Sequence, residues 1–318
     1  MANLNVVVIG PPAFAKDIGK IGTTTDITFY NLKKGETTLT LIEPSRYPEK
    51  LSSLFFSVSL AAMAVVIVEE ITAALGESII MLDCAGIKKG YLILRNYISY
   101  DNIAPLVKGT VLSEYEILPD DCNELRERLI RDAEELQCPS ESSGIVPIDQ
   151  HFNVKGIGTV ILGSVVAGSI HKHDQMQVFP TTKTAIIRSI QKHDDDCSDA
   201  TIGDRVGLAL KGIDSDVLDR GYVLAPEHAV NVTTTISGEL TLIPFWKEPI
   251  REDMILYIGH WMQFLPCRVT SCKTVTPPLV HNIDLMSERE FIYRPGDTAI
   301  LHYLESDKLR IVGTLLLS

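Results

Sequence analysis

The chain has 318 residues, of which 45% are hydrophobic and 22% charged, and carries a formal net charge of -12. That length exceeds one ordinary core and implies two or three domains of soluble globular composition. The acidic balance excludes a broad basic surface for wrapping nucleic acid, so any RNA contact is expected to be local and set by shape.

The opening Met1-Ala2-Asn3-Leu4 lacks the basic flank and cleavage site of a secretory signal. The cysteines at 84, 122, 138, 197, 267 and 272 form no C-x-x-C pair. They read as reduced thiols in a cytoplasmic protein rather than as a disulfide framework or metal site.

In chain order, Asn5–Ile9 is an apolar run ending at Gly10, and the next strands are expected at Thr38–Glu43 and Ala64–Val68. Two more are expected at Tyr91–Leu94 and Tyr115–Leu118. Helices are expected near Glu49–Leu60, Ile71–Ala85 and Asn102–Val107. Apolar strands alternating with helices predict a mostly parallel sheet covered on both faces. The uncharged stretch Leu51–Val68 raises the question of a membrane span. Its serines at 52, 53, 57 and 59 favour an amphipathic helix feeding a buried strand. A charged helix follows over Asn123–Arg131, its apolar residues three to four apart so that one face packs. The Pro-, Ser- and Gly-rich segment 139–144 reads as a linker that closes a first domain over 1–138.

Beyond it the pattern changes to short strands separated by glycine turns at 156, 158, 163, 168, 203, 207, 212 and 221. Such spacing predicts a barrel or sandwich. A break near Val230 opens a third, strand-like segment. The fold class is therefore α/β followed by all-β, with domains over 1–138, 145–230 and 231–318.

Three strings carry a family resemblance. Pro147-Ile148-Asp149-Gln150-His151 runs on to a G-x-G-T turn beginning at Gly156. Ala200-Thr201-Ile202-Gly203-Asp204-Arg205-Val206-Gly207 and Arg220-Gly221-Tyr222-Val223-Leu224 follow in order. Together they resemble domain II of the translation elongation factor Tu and selenocysteine-specific elongation factor superfamily. The opening string looks most like an archaeal paralogue of the selenocysteine factor. The resemblance covers roughly 145–318 and implies two β-barrels behind a P-loop-GTPase-like domain. It also implies a role in protein synthesis. In the selenocysteine factor an Asp-His pair and a distant Arg line the amino-acid pocket. The matching positions are Asp149, Gln150 and Arg205; Gln150 stands where the family has His, and His151 comes one place later. Since successive strand residues face opposite sides, His151 is a poor substitute. An Asp149–Arg205 pair that is only structural remains equally open. The string Gly22-Thr23-Thr24-Thr25-Asp26-Ile27-Thr28-Phe29-Tyr30-Asn31 sits where such proteins carry their first switch.

The nucleotide motifs depart from the family. A phosphate loop, G-x-x-x-x-G-K followed by Ser or Thr, cradles phosphates with backbone N–H groups. Here Gly10 is followed by Pro11 and Pro12, which have no N–H. Eight residues separate Gly10 from Gly19-Lys20 where the motif has four, and Ile21 follows. The D-x-x-G element becomes Glu43-Pro44-Ser45-Arg46, with Tyr47 in place of the water-positioning His. Of the guanine-reading N-K-x-D only Asn96 survives, with Asp101 a distant stand-in. The weak nucleotide-site candidates are thus Gly10, Thr25, Glu43 and Asn96. GTP or GDP with magnesium is expected only if this degenerate domain still binds it, and GTP hydrolysis is not expected.

His171 and His173 share a strand face but lack a third metal ligand, so a hydrated turn is the better reading. The run His193-Asp194-Asp195-Asp196 reads as a solvated loop. Trp246, Trp261 and Phe264 fit barrel core or domain packing better than RNA stacking. The expected partners are aminoacyl-tRNA, the ribosome or both, with no DNA and no membrane. No catalytic residue and no metal ligand is assigned. The alternatives are an active GTP-binding factor with a remodelled site and a non-catalytic regulatory or scaffold protein.

Overall fold

The computed structural model describes residues 2–136, 144–276, 280–306 and 309–318. These form two compact units, one within the first 136 residues and one beginning at 144. The 139–144 linker lies outside the described residues except for Gly144.

The first unit is a seven-stranded sheet. Its strands are β1 (Ala2–Ile9), β2 (Lys20–Thr24), β3 (Thr28–Lys34), β4 (Thr37–Glu43), β5 (Met63–Val68), β6 (Gly90–Leu94) and β7 (Glu116–Leu118). The order across the sheet is β2-β3-β4-β1-β5-β6-β7. The five strands from β4 to β7 run parallel, and the β2–β3 hairpin joins antiparallel to β4. That hairpin was not foreseen. β2 is a largely exposed Thr-containing edge, so it lacks the apolar run that marks the central strands.

Four helices complete the unit: α1 (Leu51–Ser59), α2 (Ala73–Cys84), α3 (Tyr100–Val107) and α4 (Cys122–Glu135). α4 starts where the Asp121 carboxylate accepts the Asn123 and Glu124 N–H groups. Its Leu125, Leu129 and Ala133 then pack with Val6, Leu41 and Val65 in the sheet core. α1 corrects an expectation, because it is buried almost all round rather than amphipathic. Its serines are tolerated inside because Ser53 donates to the Asp26 carbonyl at 2.6 Å and Ser57 to the Ser53 carbonyl at 3.0 Å. Among the described residues no helix is long and apolar enough to cross a membrane.

The second unit holds two antiparallel six-stranded barrels. The first runs Gln175–Phe179, Val223–Ala225, Val146–Val154, Gly158–Ser164, Arg205–Lys211 and Thr184–Lys192, closing between the last and the first. The second runs Asn231–Leu242, Val280–Tyr293, Gln263–Thr276, Ile255–His260, Thr298–His302 and Ile311–Leu317. Closure leaves no long unpaired edge. Each barrel has its own apolar core, Ile148, Ile161 and Leu208 in one, Ile258, Leu285 and Leu315 in the other. A further cluster joins Phe179, Val223, Ala225 and Val230 to Ile292 of the second barrel. The side-chain amide of Gln263 donates to the Ile292 carbonyl at 2.6 Å and accepts its N–H at 2.9 Å.

Candidate functional site

Two places concentrate polar chemistry, one in each unit. In the first, the carboxyl ends of β1, β4 and β5 open onto a cavity of about 460 Å³ that includes Gly10, Glu43, Tyr30 and Thr72. This is where ligands bind in open α/β sheets. After Gly10 the chain passes through Pro11 and Pro12, takes a left-handed step at Ala13 (φ 64°) and forms a single 3-10 turn, Phe14–Asp17. The donors of that turn are already engaged. Glu43, at the end of β4, accepts the Ala13 N–H at 3.0 Å on one oxygen and the Ala15 N–H at 2.7 Å on the other. Tyr30 donates its hydroxyl to the first oxygen at 3.3 Å. Burial pushes the Glu43 carboxyl up from its ordinary range, and the two backbone donors and Tyr30 pull against that rise. Burial, followed by the charge of Glu43, raises the Tyr30 phenol.

The cavity is lined by three carboxylates, Glu43, Glu69 and Glu70, and by no Lys or Arg among the described residues. Glu69 is paired with Arg95 at 2.9 Å. Tyr47 donates to the Ala74 carbonyl at 2.7 Å and to Glu77 at 3.1 Å, bracing α2.

Of the four nucleotide-site candidates, the structure gathers Gly10 and Glu43 at the cavity. Gly10 packs against β5, where a Cβ would meet the Ile67 Cβ at 2.7 Å. Thr25 and Asn96 are exposed and do not line the cavity. The Thr25 amide closes a turn onto the Ile27 carbonyl at 2.9 Å. Asn96, at φ 52°, donates from its side chain to the Glu69 carbonyl at 3.0 Å. Asp101 lies in the first turn of α3.

The second place is in the first barrel. The strand Val146–Val154 pairs with Gly158–Ser164, which pairs in turn with Arg205–Lys211. The register shifts between Ile148 and Gln150, so Asp149 sits at a β-bulge. Across from the bulge lies Gly163, where a Cβ would stand 2.4 Å from the Pro147 carbonyl oxygen. Glycine is required by that close approach. The Asp149 side chain is fully buried and ion-paired through Oδ2 to Nη1 of Arg205, which is itself 11% exposed. Arg220 donates its Nε–H to the Asp149 carbonyl at 3.1 Å. The other carboxylate oxygen, Asp149 Oδ1, and the amide Nε2 of the neighbouring Gln150 are shielded from solvent. Neither hydrogen-bonds to a described residue. All three pocket candidates therefore belong to one neighbourhood: the ion pair joins Asp149 to Arg205, and Gln150 is the next residue in the bulge.

Reading motifs alone missed several of these residues. Ala13 and Ala15 carry no motif and are found only through contacts with Glu43 some thirty positions away, and Tyr30, inside the Gly22–Asn31 string, was not singled out. Arg220 stands in the third barrel string but was not singled out. Asp204 makes a second buried pair, accepting Lys192 Nζ at 3.1 Å and the Thr201 N–H at 2.9 Å. The remaining candidates are ordinary. His171 and Asp174 form an exposed turn, and His193 and Asp194 turn a hairpin at φ 48° and 67°. Trp246 packs edge-on against Tyr303, and Phe264 stacks on Tyr257. Burial raises the thiols of Cys84 and Cys267 to about 12, which leaves them unreactive.

With this geometry in hand, the comparisons with known proteins define a class. Residues 158–225 match the model of elongation factor Tu domain 2. The chain is 37% identical over 300 residues to the uncharacterized protein MJ0325 of Methanocaldococcus jannaschii, covering 94% of each. It is 23% identical over 282 residues to the selenocysteine-specific elongation factor of the same organism, covering 81% of this chain and 60% of that one. The crystal structure of translation elongation factor SelB from Methanococcus maripaludis with the GTP analogue GppNHp superposes with a TM-score of 0.83. Its identity is 21%, and the match covers 100% of this chain and 79% of SelB. A bacterial selenocysteine-specific elongation factor gives a TM-score of 0.80 at 18% identity, over 98% of this chain and 58% of the other. The chain belongs to the family of MJ0325, within the elongation factor Tu/SelB-like superfamily.

Proposed function

We propose that this protein is a translation-elongation-factor-like binding protein of the cytoplasm. In this reading its barrels engage aminoacyl-tRNA, or the ribosomal site that elongation factors use, with little or no GTP hydrolysis. One observation carries the reading. The first barrel holds Asp149, Gln150 and Arg205 together at a bulge, where buried polar atoms, Asp149 Oδ1 and Gln150 Nε2 among them, hydrogen-bond to no described residue. Unpartnered buried polar groups destabilise a fold, and a ligand that meets them removes that cost.

The cavity in the first unit supports the second half of the reading. A nucleoside triphosphate with magnesium does not fit its lining. The prolines remove two cradle donors, Glu43 occupies two others, and three carboxylates with no lining Lys or Arg repel a polyphosphate.

Filter retention of charged and uncharged tRNA at fixed, stated salt tests the first half; retention of neither overturns the tRNA form of the proposal. An active GTP-binding factor is the second reading, favoured by the position of the 460 Å³ cavity at the carboxyl ends of β1, β4 and β5. Calorimetry with GTP, GDP and magnesium decides between them. Binding below millimolar nucleotide supports the second reading, and its absence ends it.

A further inference from the structure

The barrel pocket carries a statement about ligand chemistry that the motifs do not. Asp149 is 2% exposed, and its negative charge is already balanced by the guanidinium of Arg205. Among the atoms that the buried pair leaves without a hydrogen bond is an acceptor, Asp149 Oδ1, and the next residue leaves a donor, Gln150 Nε2–H. Both belong to consecutive residues at one bulge, where the register shift suspends the strict alternation of strand faces. The Arg220 bond to the Asp149 carbonyl fixes the backbone at that point.

Resting on the aminoacyl-tRNA reading above, we propose that this pocket selects aminoacyl groups whose side chain is uncharged and both donates and accepts a hydrogen bond, a hydroxyl or a carboxamide. Such a group can donate to Asp149 Oδ1 and accept from Gln150 Nε2, which belong to consecutive residues. An alkyl side chain leaves both atoms unpartnered. A carboxylate, thiolate or selenolate has no proton to give and stands against the free oxygen of Asp149. A cation satisfies that oxygen but faces the Gln150 N–H and the Arg205 guanidinium. Sites built to hydrogen-bond a polar group reject its apolar analogue far more strongly than apolar pockets reject an extra group.

The test uses the full chain and one tRNA body charged in turn with serine, asparagine, alanine and aspartate. Protection of the aminoacyl ester from hydrolysis is followed against protein concentration. Serine and asparagine are expected to be protected at concentrations about tenfold or more below alanine, with aspartate weakest, each lost hydrogen bond counting about tenfold. In Gln150→Leu, with folding checked by circular dichroism, the serine-to-alanine ratio is expected to fall toward one. Equal protection of all four overturns this inference and leaves the aminoacyl-tRNA reading standing. Stronger protection of aspartate than of serine also overturns it. No protection of any charged form overturns both.

Discussion

The cavity of the first unit and the pocket of the first barrel are opposites in how they treat a buried carboxylate. Glu43 is 8% exposed and has both oxygens occupied by its own chain, from Ala13, Ala15 and Tyr30. Asp149 is more deeply buried, yet only one of its oxygens is taken. The first arrangement is closed on itself, and its polar groups ask nothing of a ligand. The second keeps unmet hydrogen-bonding capacity inside a rigid barrel, which is the condition for recognising something else.

The largest effect is expected at the barrel. Arg205→Met strands the Asp149 charge in the interior and is expected to cost about 4 kcal/mol in urea unfolding; a loss under about 1 kcal/mol would break the comparison by showing the pair is solvated. Next, Glu43→Ala leaves the Ala13 and Ala15 N–H groups without an acceptor. It is expected to cost about 3 kcal/mol and to speed hydrogen exchange at those two amides, leaving aminoacyl-ester protection intact. Loss of both functions together would mean the two places are not independent.

A pH series then separates loss of ligand from loss of barrel. His302 is fully buried, and burial holds its ring pKa down at about 3, with Nδ1 3.1 Å from the Tyr257 carbonyl. An unfolded chain protonates this ring below about 6.5 while the folded one does not. Stability is therefore full above about pH 6.5 and falls as pH drops toward 3, by about 2 kcal/mol at pH 5. Urea midpoints at pH 7, 6 and 5 read this slope, which His302→Leu should flatten. The smallest effect is expected from Arg220→Ala, about 1 kcal/mol for loss of its bond to the Asp149 carbonyl. A weaker serine-over-alanine preference should accompany it if the bulge is held by that bond.

Much of the architecture was legible in the residues. The apolar runs at Asn5–Ile9 and Ala64–Val68 are central strands because both faces of a parallel sheet are covered, which makes the sequence continuous rather than alternating. Leu125 and Leu129 marked the packed face of α4 by spacing alone. The β2–β3 hairpin was not legible, because an exposed edge carries no apolar signature. α1 was misjudged as amphipathic because serines look like a wet face until their hydroxyls are seen bonded to carbonyls at 2.6 and 3.0 Å. At the candidate sites, Asp149, Gln150 and Arg205 could be named from motifs. The bulge that groups them, and the atoms left over, are products of register and burial that no linear spacing encodes. Glu43 is a weak nucleotide-site candidate by its motif position. Its actual partners are backbone amides of the segment that replaces the phosphate loop.

The cluster that joins the two barrels has a consequence for how this half of the molecule comes apart. Phe179, Val223 and Val230 share their burial with Ile292, and Gln263 bonds the Ile292 backbone on both sides. The two barrels thus share an apolar cluster distinct from their own cores, and they are expected to unfold as one cooperative block. Cutting the chain near residue 230 does not release two domains; it produces two fragments, each with a freshly bared apolar face.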